Sequence, residues 1–293
     1  MKKYTIKSIS HLCLYDNAHI DKSIEFVNSI TSIIEDPETK QVCIDFGPLK
    51  KLTAAANYVF CLFTHYQTTK NNNILNIKMP NDQFMKDLFV NTGLFTAIRA
   101  GGSAKIKKLW LNSNFVCGNN SDAPKLLTAI RNRSGVSQLP IKLTAAIRET
   151  LLNVNHHAYS HIDMPLLTWW CYFHIGEDDN GKFLSAVILD RGKGIPQNIK
   201  DSFPLLHQSF DCECISHAMM ESITSTKELG RGKGSVDMKK PVRLNKVSSA
   251  DQLFVISHKG KYSYEFIGDN DKIVVGSLNN SLKGTMIEWV LYY

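Results

Sequence analysis

The spacing of apolar residues in the first part of the chain predicts alternating helices and strands. In "DKSIEFVNSITSIIED", isoleucine and valine recur every three or four positions, as on one side of an amphipathic helix, and Asp21 is placed to cap it. The nearly continuous apolar run "QVCIDF" predicts a strand covered on both faces. The pattern then predicts a helix in "LTAAANYVFCLFTHY", a strand in "NILNIKM", a helix in "NDQFMKDLFVNTGLF" that stops at Gly93, and a strand in "AKIKKLWLNSNFV". This order predicts a small α/β domain over residues 1–117.

A second domain is expected over residues 123–293, because the polar, turn-forming stretch "CGNNSDAPK" separates it from the first. Within it, "LTWWCYFHIGEDDNGKFLSAVILD" predicts two strands joined by the turn "DDNG". The closing segment "YSYEFIGDNDKIVVGSLNNSLKGTMIEWVLYY" predicts the last strands of the domain.

The segment "RETLLNVNHHAY" predicts a helix with two unlike sides. Glu149, Asn153 and His157 recur at intervals of four, which returns to nearly the same side of a helix. The opposite side is an apolar stripe formed by Leu143, Ile147, Leu151 and Val154. The polar row is either a solvated helix face or a set of functional side chains.

Composition narrows the class of protein. The 293 residues are 43% apolar and 10% aromatic, enough for real cores. The chain has no run of about 18 apolar residues that would predict a membrane span, and its N-terminus is a poor signal peptide. Seven scattered cysteines without a CxxC pair indicate reduced thiols and a cytoplasmic protein. A zinc site on His156, His157 and His161 is disfavoured, because no further ligand at a fixed spacing accompanies them.

The net charge of +7 is compatible with a nucleic-acid partner, yet the basic residues are dispersed and form no recognisable nucleic-acid motif.

Three further segments carry candidate chemistry. Asp190 ends a predicted strand and is followed by Gly192 and Gly194 in "DRGKGIP", a turn that lets a ligand approach the backbone. A second glycine-rich segment precedes a predicted helix, where backbone N–H groups and positive charge would suit a phosphate. Its glycines are Gly230, Gly232 and Gly234, interleaved with Arg231 and Lys233. Near the end of the chain, Gly284 and Thr285 open a predicted strand.

The order of these signals over residues 123–293 resembles the GHKL ATPases, which include DNA gyrase, Hsp90, histidine kinases and MutL. The helix "ETLLNVNHHA" is most similar to that of the anti-sigma factor serine kinases. The resemblance implies an ATP-binding α/β sandwich, the Bergerat fold. It also implies that Asn153 binds Mg²⁺, that Glu149 is the general base, and that Asp190 accepts a hydrogen bond from the adenine amino group.

The same resemblance assigns the remaining candidates. Gly192 and Gly194 would give the adenine ring access, and Thr285 would lie on the neighbouring strand near the nucleotide. His157 would support these residues without reacting. The lid over the phosphates would be formed by Gly230, Gly232 and Gly234. Two departures concern this lid: Ser235 stands where the family usually has leucine, and Pro241 falls inside the expected lid helix.

In the first domain, "VCIDFGPLKKLTAAANYVFCLF" and "KDLFVNTGL" resemble the STAS domain of anti-sigma antagonists. The phosphorylated serine of that family would fall near Thr53, where this chain reads "TAAA" and Ala54 and Ala55 have no hydroxyl. The phospho-switch is therefore not expected at this position.

Three functions are compatible with these patterns. The first is a Mg-ATP-binding regulator that slowly hydrolyses ATP or phosphorylates a protein partner. The second is an ATP-gated interaction switch, with a protein partner or as a homodimer, that has little turnover. The third is a nucleic-acid-binding protein, whose binding would depend strongly on salt.

Overall fold

A computed structural model describes residues 2–70, 74–99, 101–133, 135–159, 164–220 and 234–293. The chain divides into two compact units, residues 1–117 and 118–293. Both combine helices with sheets, which confirms the predicted α/β class. Among the described residues no helix is long and apolar enough to cross a membrane.

The first unit contains a parallel sheet and several helices. In chain order its elements are β1 (Lys2–Lys7), β2 (His11–Leu12), α1 (Ile20–Glu35), β3 (Thr39–Asp45), β4 (Lys51–Leu52), α2 (Ala55–Thr69), β5 (Leu75–Lys78), α3 (Gln83–Asn91), α4 (Leu94–Ile98) and α5 (Gly102–Asn112). β3 lies between β1 and β5, and both pairings are parallel. The short strands β2 and β4 form a second parallel pair. Strand β6 (Phe115–Gly118) contains the boundary between the units.

Most elements predicted for this unit are confirmed, with two corrections. Gly93 stops α3 as predicted, and its φ of +79° is the left-handed conformation that glycine adopts readily. Asp21 does not cap α1: the cap position is His19, and Asp21 lies in the first turn.

The second correction concerns "AKIKKLWLNSNFV", where the strand prediction is wrong: the segment is mostly helix α5, followed by β6. Ile106, Leu109 and Trp110 follow the helical spacing of three and four, and Leu109 is buried.

The second unit consists of helices and an antiparallel sheet. Its helices are α6 (Ala123–Arg133), α7 (Leu143–Asn153), α8 (Gly194–Ser202), α9 (Asp211–Ala218) and α10 (Gly234–Asn245), with 3₁₀ turns at Asn120–Asp122 and Pro204–Leu206 and a π-helical turn at Val154–Ala158. Its strands are β7 (Trp169–Asp178), β8 (Gly181–Asp190), β9 (Gln252–Ile267) and β10 (Asn270–Tyr292). Neighbouring strands follow the order β7-β8-β10-β9, all antiparallel. The predicted β7–β8 hairpin is confirmed.

Strand β9 turns back on itself near His258. The side-chain amide of Gln252 donates to the Ser263 hydroxyl at 2.9 Å. Eleven residues of extended strand would span about 36 Å, so these side chains meet only if the strand reverses between them. His258 has a φ of +51°, a left-handed conformation that fits such a reversal. The bend brings Ser257 and His258 to the end of the sheet, beside the start of α8.

Candidate functional site

Asp190 lies at the end of β8, directly opposite Thr285 on β10. Both residues are buried, with exposed fractions of 6% and 5%. The backbone N–H of Gly192 donates to Asp190 Oδ1 at 2.8 Å. Thr285 donates to the same carboxyl group through its backbone N–H and its hydroxyl. The carboxyl group is therefore held by donors from the turn that follows it and from the neighbouring strand.

Burial raises the pKa of Asp190 to about 7, although the hydrogen bonds from Gly192 and Thr285 act in the opposite direction. Near neutral pH the carboxyl group consequently exchanges between its protonated and ionised forms.

This raised pKa predicts a pH-dependent stability. Between about pH 4 and pH 7 the folded state keeps a proton on Asp190 that the unfolded state has released, so the free energy of unfolding should fall as pH rises. We expect wild type to lose about 2–4 kcal/mol relative to Asp190→Asn between pH 4 and pH 8. Urea denaturation of both proteins at the two pH values measures the difference. Parallel pH profiles would show that Asp190 does not titrate in this window.

The glycines after Asp190 are required by the packing of the turn. A Cβ atom at Gly192 would lie 2.2 Å from the carbonyl oxygen of Ala158, and the Lys193 N–H donates to that same oxygen at 2.8 Å. Gly194 has a φ of +76°, and a Cβ atom there would lie 2.7 Å from Nε2 of His258. This close packing is a reason for glycine that is separate from the ligand access expected from the sequence.

Helix α7 carries Glu149 and Asn153, both half-buried. The predicted apolar stripe on its other side, Leu143, Ile147, Leu151 and Val154, is buried as expected. The α-helix ends at Asn153, and His157 lies in the wider π-helical turn that follows.

The first turns of α10 lie beside this polar row. Met238 Sδ is 4.0 Å from Asn153 Nδ2. Burial raises the pKa of Glu149, and the negative charge of Asp237 raises it further, whereas His156 lowers it. Asp237 itself accepts a hydrogen bond from Lys240 at 2.6 Å. Glu149 is thus a partly desolvated carboxyl group with a second carboxyl group nearby.

Asp190 and the Asn153 helix lie on the same side of the sheet. The indole N–H of Trp289 donates to the Met238 carbonyl oxygen at 2.8 Å, so Trp289 faces α10. Trp289 is four residues after Thr285 on β10, and because side chains alternate between the two faces of a strand, both lie on the same face of the sheet. Asp190 is paired with Thr285 and therefore lies on that face as well. A separate hydrogen bond, from the Lys193 N–H to the Ala158 carbonyl oxygen, joins the turn after Asp190 to the π-helical turn that follows α7.

The expected lid is described only in part. Gly230 and Gly232 lie outside the described residues, and Gly234 is the first residue of α10. The Ser235 hydroxyl donates to the Met220 carbonyl oxygen at 2.8 Å. Helix α10 continues through Pro241 to Asn245, although an interior proline costs a helix about 3 kcal/mol.

Asn153 on α7 has a side-chain oxygen, the kind of atom that Mg²⁺ prefers as a ligand. Within the described residues no group of three His, Cys, Asp or Glu side chains is arranged to hold a metal ion. Asn153 supplies an amide oxygen, and Mg²⁺ commonly takes one or two protein oxygens and completes its shell with water and phosphate. Of the alternative histidine set, His161 lies outside the described residues. All seven cysteines are free thiols.

Several residues around Asp190 were not singled out from the sequence. The hydroxyl of Tyr159 accepts from the Arg191 N–H at 2.9 Å and donates to the Thr168 carbonyl oxygen at 3.0 Å. Ser257 and His258 approach the turn from β9, more than sixty positions further along the chain. No spacing rule links residues so far apart, so only strand pairing could have found them.

Comparison with known proteins assigns no family: no protein-family model matches this chain, and no curated protein matches its sequence.

Proposed function

We propose that this protein binds Mg-ATP in its second unit and acts as a regulatory protein of the GHKL class. The observation that carries the proposal is the position of Asp190 and Asn153 on one side of the sheet. The hydrogen bond from Lys193 to Ala158 joins the turn after Asp190 to the turn after Asn153. An adenosine phosphate requires a base-recognising group at one end and a cation site at the other, and these residues are of the right chemical types.

At the end of the site that binds the nucleobase, Asp190 would accept a hydrogen bond from the adenine amino group. Its carboxyl group receives hydrogen bonds from Gly192 and Thr285, so its orientation is fixed before a ligand binds. A preorganised acceptor loses little entropy on binding, which favours affinity.

At the phosphate end, Asn153 would supply an oxygen to Mg²⁺, and Gly234 at the start of α10 would contribute backbone N–H groups to the phosphates. The magnesium ion would supply charge stabilisation to a phosphoryl group. The resemblance assigns Gly230 and Gly232, which lie outside the described residues, to the same lid.

Glu149 would act as the general base toward water or a hydroxyl group of a protein substrate. Its raised pKa brings its proton affinity closer to neutral, where general bases are most effective. Slow ATP hydrolysis or protein phosphorylation is therefore the activity we propose for the site.

The alternative function is an ATP-gated interaction switch without significant turnover. The contact between Met238 and Asn153 favours it, because a cation bound at Asn153 would be sensed directly by α10. In this alternative the STAS-like first unit would pass the nucleotide state to a protein partner.

Calorimetry on the full chain with ATP, ADP and a non-hydrolysable analogue in the presence of Mg²⁺ tests the proposal. At ATP about 100-fold above its Kd, we expect a stabilisation of about 2.7 kcal/mol and a rise of about 5–10 °C in melting temperature. A phosphate-release assay on the same sample separates turnover from switching. EDTA should weaken binding. The absence of both binding heat and a melting-temperature shift would overturn the proposed function.

A further inference from the structure

Ser257 is a fully buried hydroxyl that connects both sides of the Asp190 site. It lies on β9 opposite Thr285, with an exposed fraction of 0%. Its Oγ accepts from the Ile195 N–H at 3.0 Å, in the first turn of α8, and donates to the Gly284 carbonyl oxygen at 2.9 Å. The same atom is 3.0 Å from the Thr285 hydroxyl oxygen. One side chain thus ties the segment after Asp190 to the strand beside it.

These bonds act on the Asp190 carboxyl group through two routes. On one route, the Ser257 hydroxyl donates to the Gly284 carbonyl oxygen, which belongs to the same peptide group as the Thr285 N–H that donates to Asp190. On the other route, Ser257 holds Ile195, and the chain between Asp190 and Ile195 contains the Gly192 N–H that donates to Asp190. The Gly192 and Thr285 N–H groups that orient the carboxyl group therefore lie in segments that the Ser257 hydroxyl holds by hydrogen bonds.

The turn has little room to move away from this arrangement. A Cβ atom at Gly284 would lie 2.1 Å from the Asp190 carbonyl oxygen, so the two backbones are packed together. His258 closes the other side, with its ring against Gly194 and a hydrogen bond to the backbone of Lys193.

We propose that Ser257 is a positioning residue that makes the Asp190 site selective for nucleobases presenting an amino group. The inference rests on the proposed function and deepens it. Because Gly192 and Thr285 supply the donors, Asp190 meets the base as an acceptor in a fixed direction. When Asp190 is ionised, a base with a carbonyl group at that place, such as guanine, sets acceptor against acceptor and is rejected. If the carboxyl group were free to rotate or to move away, it could avoid the carbonyl group of guanine, and the site would discriminate less against that base.

The test compares wild type, Ser257→Ala and the control Ser263→Ala, which removes another β9 hydroxyl near Gln252. The Kd values of Mg-ATP and Mg-GTP are measured by calorimetry on the full chain. Hydrogen exchange of the Ile195 amide is measured without nucleotide. We expect Ser257→Ala to lower the ATP preference over GTP about tenfold and to speed Ile195 exchange, whereas Ser263→Ala changes neither.

A purely structural role would lower the melting temperature without changing the ratio of the two Kd values. If wild type prefers ATP and Ser257→Ala keeps that preference, the inference is wrong while the proposed function stands. If wild type binds neither nucleotide, both fail together. Unchanged Ile195 exchange in Ser257→Ala would also overturn the inference, because the hydroxyl would then not hold the turn.

Discussion

Replacing Asp190 by asparagine should weaken Mg-ATP binding about 10- to 100-fold, because a buried carboxyl acceptor is lost. The asparagine side chain has one oxygen for the donors of Gly192 and Thr285, and its own amino group would face the adenine amino group. The melting-temperature rise caused by ATP should nearly disappear. Titration calorimetry measures the affinity, and thermal unfolding with and without ATP measures the stabilisation.

A matched control is Asp179→Asn in the exposed turn between β7 and β8, which removes the same charge far along the same hairpin. It should bind ATP like wild type. If Asp190→Asn bound ATP with wild-type affinity, Asp190 would be excluded as the group that recognises the adenine base. This outcome would not by itself decide the roles of the other site residues.

Replacing Glu149 by alanine should leave Mg-ATP affinity within about threefold and lower turnover by about 10²–10⁴-fold. Glu149 lies on α7 one turn before Asn153. It is near enough to the proposed cation site to activate a nucleophile, but in this proposal it does not contact the adenine ring. Its carboxyl group is half-buried and its pKa is raised, so removing it deletes a group suited to accept a proton. Single-turnover phosphate release measures the chemical step, and calorimetry on the same preparation measures binding.

Arg148→Ala provides the control, because Arg148 is an exposed neighbour on the same helix. It should retain both binding and turnover. A turnover rate in Glu149→Ala equal to that of wild type would defeat the assignment of Glu149 as general base. Binding without turnover in wild type itself would favour the ATP-gated switch.

The spacing of apolar residues predicted long, regular helices and strands well. It failed where a short run of apolar residues fits both the helical and the strand spacing. The β7–β8 hairpin and the apolar side of α7 were readable because each has one clear period. Helix α5 was mistaken for a strand because its short apolar run satisfies both spacings over a few residues. The π-helical turn after Asn153 was not predicted from the sequence, and its last residue, Ala158, accepts a hydrogen bond from Lys193 in the turn after Asp190.

The candidate site shows the same division. Glu149, Asn153, Asp190 and Thr285 could be singled out because each stands at a helix face or strand end with a recognisable local pattern. Their neighbours could not. Asp237 acts on Glu149 from another helix, and Ser257 reaches the Asp190 turn because β9 pairs with β10, which in turn pairs with β8.

Local patterns in the chain were enough to predict the α/β class, the polar row on α7 and the glycine turn after Asp190, because these follow from periodicity and backbone conformation within short segments. Three contacts became visible only in the folded chain: Asp190 faces Thr285, Asn153 lies on the same side of the sheet, and Ser257 joins the two sides of the turn. These facts depend on strand register and helix packing between residues far apart in the chain. A pattern within one segment carries no information about such contacts.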